Sequence, residues 1–148
     1  MAEREASLSG PLPAYQIDAA AVEAWRAVYT ELIGFVPPRI AARTDLLARL
    51  DPELLALQEQ IRQRAMYPAC FDTRTAQLML FGMLLMTLAD ATRLHAIAAR
   101  RAGATWEELS AVVNLAFLFR GLPAANLGAQ IIQEIAKAEA EETAGATK

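Results

Sequence analysis

The chain has 148 residues, a net charge of −3, a single cysteine, and hydrophobic residues at 55%. That length fits one domain able to bury a core without staples, and a lone thiol excludes an internal disulfide, a thiolate zinc cluster and a dithiol redox cycle within one chain. Arginines and acidic residues are scattered and lysines stand only at 137 and 148, so the chain lacks the basic stripe that nucleic-acid binding requires.

Residues 1–13 contain Ser, Gly, two prolines and the charged trio Glu3, Arg4 and Glu5. This is a frayed tail and not a signal peptide, and a cytoplasmic location follows as the default. Asp18 is placed to cap a helix through Ala19 to Phe35, with Val22, Trp25, Val28, Tyr29 and Leu32 repeating at three and four residues; Gly34 and Pro37-Pro38 end it. A shorter helix covers Arg39 to Leu50. Asp51-Pro52 then supplies a cap followed by proline at the first helical position, opening a helix to about Met66, and Tyr67-Pro68 stops it.

Asp72 caps the most apolar segment, in which Leu78 to Ala89 is interrupted only by Gly82 and Thr87. The run falls short of the ~20 residues that span a bilayer, so it predicts a buried helix, covered in part by another subunit. Thr87-Leu-Ala-Asp90 has the spacing of a capping box and predicts a break there, with a second helix to Ala102. Gly103 suits a left-handed helix end, Thr105-Trp-Glu-Glu108 is another capping box opening a helix to Arg120, and Gly121 closes it. Pro123 opens the last helix, to about Ala138, with Leu127, Ile131, Ile132 and Ile135 facing the core; the small polar tail beyond is expected to fray. The expectation is an all-α chain with one domain over 14–140 and flexible tails at 1–13 and 141–148.

His95, the only histidine, is the first candidate for chemistry because it exchanges protons near neutrality. Its helical neighbours Leu88, Ala91, Thr92, Ala98, Ala99 and Ala102 are mostly small, which suits a ligand or a closely packed helix equally. Gln77 lies eighteen residues earlier, about 27 Å away on an unbroken helix; only the break near Thr87 lets the two meet. Otherwise Gln77 is a first-turn surface residue. Arg74 and Arg93 can each fork a carboxylate, although Asp90 offers Arg93 an ordinary helical ion pair. Arg120 suits a helix C-terminus, and Asn114 is read as an interface contact. Cys70 is expected to be buried, and Met79, Met83 and Met86 to fill the core. One histidine and scattered carboxylates give no metal pattern, and there is no phosphate loop or serine elbow.

From Phe71 onward the sequence runs FDTRTAQLMLFGML, RLHAIAARRAGATWEEL and GLPAA. It resembles the carboxymuconolactone decarboxylase-like family, in the alkylhydroperoxidase-D-like superfamily, through Asp72 to Leu78, His95 with Gly103-Ala104-Thr105, and Gly121 to Ala125. More weakly, Gly34 to Pro37 and Asp51 to Glu53 are similar to the family's leader region. The peroxidase branch carries a CxxC pair seven and four residues before the histidine; Leu88 and Ala91 stand there instead, so the chain resembles the branch lacking that pair. The family's frequent Glu is replaced by Gln77, an amide that cannot serve as a base.

The resemblance implies a compact multi-helix fold, assembly as homotrimers or homohexamers, and cofactor-free loss of CO2 from a small carboxylated lactone or organic acid, as in aromatic catabolism. It implies catalytic roles for His95, as proton donor, and Gln77, as donor to an oxyanion, and a substrate-carboxylate role for Arg74. No metal, organic cofactor, nucleic acid or membrane enters this expectation. The competing expectations are a non-catalytic oligomeric binding protein and, lastly, a peroxide reductase without the dithiol.

Overall fold

Helix signals dominate because nearly every segment carries a cap, a stop and an apolar stripe. The computed structural model describes residues 10–146, and among them seven helices follow one another without a strand. Their contacts group them into two compact units divided between Arg64 and Ala65. Residues 1–9 and 147–148 of the expected tails lie outside the described residues. No described helix is long and apolar enough to cross a membrane.

In the first unit, α1 (Ala19–Ile33) starts where the Asp18 carboxylate accepts from the Ala20 amide at 3.0 Å. It stops two residues short of Phe35 because Gly34 takes φ 98°, left-handed backbone that glycine adopts without a Cβ penalty. α2 (Pro38–Leu50) begins on proline, and Asp51 caps α3 (Pro52–Met66) by accepting from the Leu54 amide at 3.0 Å. Val22, Ala48 and Leu55 form the small buried centre.

Beside that centre Glu59 is fully buried yet charged, held by Arg43, by Arg62 at 3.0 Å and by the Tyr29 hydroxyl at 2.9 Å. Burial alone pushes the Glu59 carboxyl up, but the hydrogen bonds from Arg43, Arg62 and Tyr29 outweigh it and leave the group below its ordinary value. Tyr29 is pushed up to about 12, chiefly by burial. The Arg62 guanidinium also lies 3.9 Å from the centre of the Tyr29 ring. Residues from three helices are thus tied at one point.

In the second unit, α4 (Thr73–Thr87), α5 (Thr92–Arg101), α6 (Trp106–Arg120) and α7 (Leu122–Ala146) surround a core that includes Phe81, Leu85, Ala99, Leu109, Val113 and Ile131. Asp72 caps α4 through the Thr75 amide at 2.7 Å, and Thr105 and Glu108 complete the capping box of α6 at 3.1 and 2.8 Å. Gly128 lets α7 approach α6: a Cβ there would meet a Val113 methyl at 2.5 Å. The last helix does not fray at Ala140 but continues to Ala146, because its alanines and glutamates are good helix formers.

The break between α4 and α5 falls at the expected place, by a different device. Thr87 is the last residue of α4, and its hydroxyl donates back to the Leu84 carbonyl at 3.0 Å. It therefore does not cap the next helix, and no capping box forms with Asp90; Ala91 precedes α5 without a side-chain cap. Leu88 reverses the chain in left-handed backbone, φ 53°, the one non-glycine residue so placed among those described. α5 then folds back along α4.

Candidate functional site

The reversal at Leu88 converts an axial separation into a contact. Gln77, on α4, is fully buried, and its Oε1 lies 2.8 Å from Nδ1 of the partly buried His95 on α5. A carbonyl oxygen only accepts, so this hydrogen bond places the ring proton on Nδ1 and leaves the lone pair on Nε2. Burial pushes the imidazole below its ordinary value, and no charged group contributes to the shift. The resting pair is neutral.

The other end of the amide is the more informative. Gln77 Nε2 is buried and has no hydrogen-bond partner among the described residues. An unsatisfied buried donor costs roughly 1–3 kcal/mol, and such groups call for a ligand, a water or a functional role. The pair therefore offers one donor at Gln77 Nε2 and one acceptor at His95 Nε2, suited to an oxygen that gains charge and an atom that exchanges a proton.

Arg74 is not part of this pair. Its Nη1 lies 3.2 Å from Glu108 Oε1, and it borders a groove of about 350 Å³ whose walls include Leu78, Met79, Gly82, Met83, Val112 and Leu115 but neither Gln77 nor His95. Arg93 reaches Glu134 at 3.4 Å, and Arg120 donates to the Met86 carbonyl at 3.2 Å.

Two expectations need correction. Cys70 is exposed rather than buried, because it sits in the turn between α3 and α4. Met79 and Met83 are 42% and 58% exposed rather than core filling, since they face the groove side of α4, and only Met86 packs on the core. Among the described residues no three His, Cys, Asp or Glu side chains converge as a metal set. What sequence reasoning missed is the Glu59 cluster, whose members lie too far apart in sequence for any local spacing to reveal.

A family model, that of the carboxymuconolactone decarboxylase family, matches residues 52–134. That is more than half of the chain, and the protein belongs to this family. No curated protein and no solved structure matches it.

Proposed function

We propose that the protein is a cofactor-free decarboxylase, or a related lyase or isomerase, acting on a small carboxylated lactone or organic acid of the kind met in aromatic catabolism. The observation that carries this reading is the part-buried Gln77–His95 hydrogen bond with the buried Gln77 Nε2 left without a partner. Membership of the carboxymuconolactone decarboxylase family supports the reading, and carboxylates conjugated with a carbonyl are the substrates that the resemblance implies.

When the bond from such a carboxylate to carbon breaks, its electron pair passes toward the carbonyl and CO2 leaves. Gln77 Nε2 donates to the oxygen that gains charge. His95, protonated on Nε2, hands that proton to the carbon, and the ring regains a proton from solvent for the next turnover. The balance is R–COO⁻ + H⁺ → R–H + CO2. An isomerisation uses the same groups with the proton taken and returned. Because Arg74 is engaged with Glu108, this reading assigns it no part at the reacting carboxylate.

The test is CO2 release from a panel of carboxylated lactones by the wild type, His95→Ala and Gln77→Leu. Loss of the proton donor costs on the order of 10²–10⁴ in rate and loss of the oxyanion donor about 10²–10³. Unchanged turnover in His95→Ala rules the mechanism out.

The same reading includes self-association as a homotrimer or homohexamer. Leu115, Leu118, Phe119 and Leu122 are 62%, 69%, 83% and 66% exposed at three- and four-residue spacing, and Leu115 shares the groove with the exposed Met79 and Met83. Their exposed area is on the order of 800 Å², the amount one partner gives to a stable interface. Light scattering on Leu118→Glu and Phe119→Glu tests it: smaller particles support this face, and an unchanged mass refutes it.

A further inference from the structure

We infer that a carboxylate ligand enters the Gln77–His95 site only together with a proton, which His95 takes up on Nε2 from solvent. This rests on the reading of the pair as a ligand site and adds how that site meets an anion. Gln77 is an uncharged amide and fully buried, its Oε1 is 2.8 Å from His95 Nδ1, and burial disfavours the charged form of the ring. An anion placed there without a counter-charge carries a large desolvation penalty.

Each basic group described on the packed helices has a partner outside the pair, Arg120 of α6 at the Met86 carbonyl among them. On α4, Asp72 holds the Thr75 amide and Arg74 is paired with Glu108. On α5, Arg93 pairs with Glu134 of α7, Arg100 pairs with Glu139 of α7, and Arg101 is also engaged. Lys137 of α7 lies 3.9 Å from Glu141. The depressed titration of His95 has burial as its cause and no charged neighbour.

His95 is therefore the group that can become cationic next to the ligand. Its geometry permits it: Nδ1–H stays on Gln77 Oε1 while Nε2 accepts the new proton. The carboxylate and the proton then bind as a linked pair, each raising the affinity for the other. The proton taken up on binding is the one that the carbon consumes when CO2 leaves, so the substrate charges its own acid.

The probe is furan-2-carboxylate, a stable carboxylated five-membered ring, compared with neutral furan-2-carboxamide. Calorimetry at pH 7.5 in buffers of different ionisation enthalpy is expected to give about one proton taken up per carboxylate bound and none for the carboxamide. Affinity for the carboxylate is expected to fall about tenfold per pH unit above the free His95 midpoint. NMR of the single histidine ring is expected to show that midpoint raised by more than about two units in the complex, to well above the pH of the calorimetry. Binding without proton uptake, an unmoved His95 midpoint, or no binding of the carboxylate overturns the inference. The two readings fail separately. CO2 release without proton uptake leaves the decarboxylase standing and removes this coupling; proton uptake at His95 without turnover of any lactone does the reverse.

Discussion

Replacing Gln77 by Glu exchanges the amide beside His95 for a carboxylate of nearly the same shape, and its effect on the ring can be worked out. The present contact is 2.8 Å from Oε1 to Nδ1, which sets the charge centres about 4 Å apart; at an effective dielectric near 20 their attraction is about 4 kcal/mol, roughly three pKa units. Desolvation of the new carboxylate returns part of this, so a rise of at least about one to two units is expected. The ring then moves from below the ordinary 6.5 to above it. The chain has one histidine, so an NMR titration of the imidazole carries a single curve to follow.

Stability supplies an independent sign. In the wild type the folded midpoint is depressed, so His95 contributes stability that is present above the unfolded value and lost as pH falls through the folded one. In Gln77→Glu the midpoint is raised, and the contribution is present below the unfolded value and lost as pH rises through the new one. Thermal midpoints between about pH 5 and 8 should thus change in the His95 contribution from rising with pH to falling with pH. A His95 midpoint in Gln77→Glu at or below that of the wild type refutes the reasoning.

Three further outcomes test the scaffold. Tyr29, at about 12 when folded against an ordinary 10.0, contributes stability that is present below pH 10 and lost as pH rises toward 12, on the order of 2–3 kcal/mol; urea unfolding at pH 8 and pH 11 should show about half of that loss, and Tyr29→Phe should remove it. Glu59→Gln leaves Arg43 and Arg62 without their carboxylate and is expected to cost about 3–5 kcal/mol in chemical denaturation; the wild type should lose the Glu59 contribution only below the ordinary carboxylate range, because the folded value is lowered. Gly128→Ala drives a methyl against Val113, and a loss of about 1–3 kcal/mol is expected by the same assay.

How far the sequence reached depends on whether a feature is local. Asp18, Asp72 and the Thr105–Glu108 box each act within one helical turn, and their spacing alone placed the helix starts. The break near Thr87 was legible as a position, yet Thr87 closes α4 instead of opening α5. Its hydroxyl had a carbonyl three residues back, and the turn was left to Leu88. Non-local features were beyond reach. The Glu59 cluster joins residues thirty positions apart, and the exposure of Met79 and Met83 depends on which face of α4 the neighbouring helices cover. At the candidate site, Gln77 and His95 were separately visible; their contact required the fold-back, and the orphaned Gln77 Nε2 required every neighbour to be placed.

The glutamine is the feature that sets the resting charge of this site. A glutamate beside the imidazole would hold it as a cation before any ligand arrived, and that built-in ion pair would present no net charge to an incoming acid. The amide instead fixes only the tautomer, by accepting from Nδ1, and leaves the ring neutral in a buried setting. Positive charge then arises only when an anion supplies the reason for it, at the atom that faces the ligand rather than at the one that faces the protein. On this view Gln77 does not weaken an acid–base pair but relocates its counter-charge from the protein to the substrate. Selectivity for a carboxylate over its amide should therefore rise as pH falls toward the His95 midpoint, whereas a glutamate at the same position should leave that selectivity nearly flat.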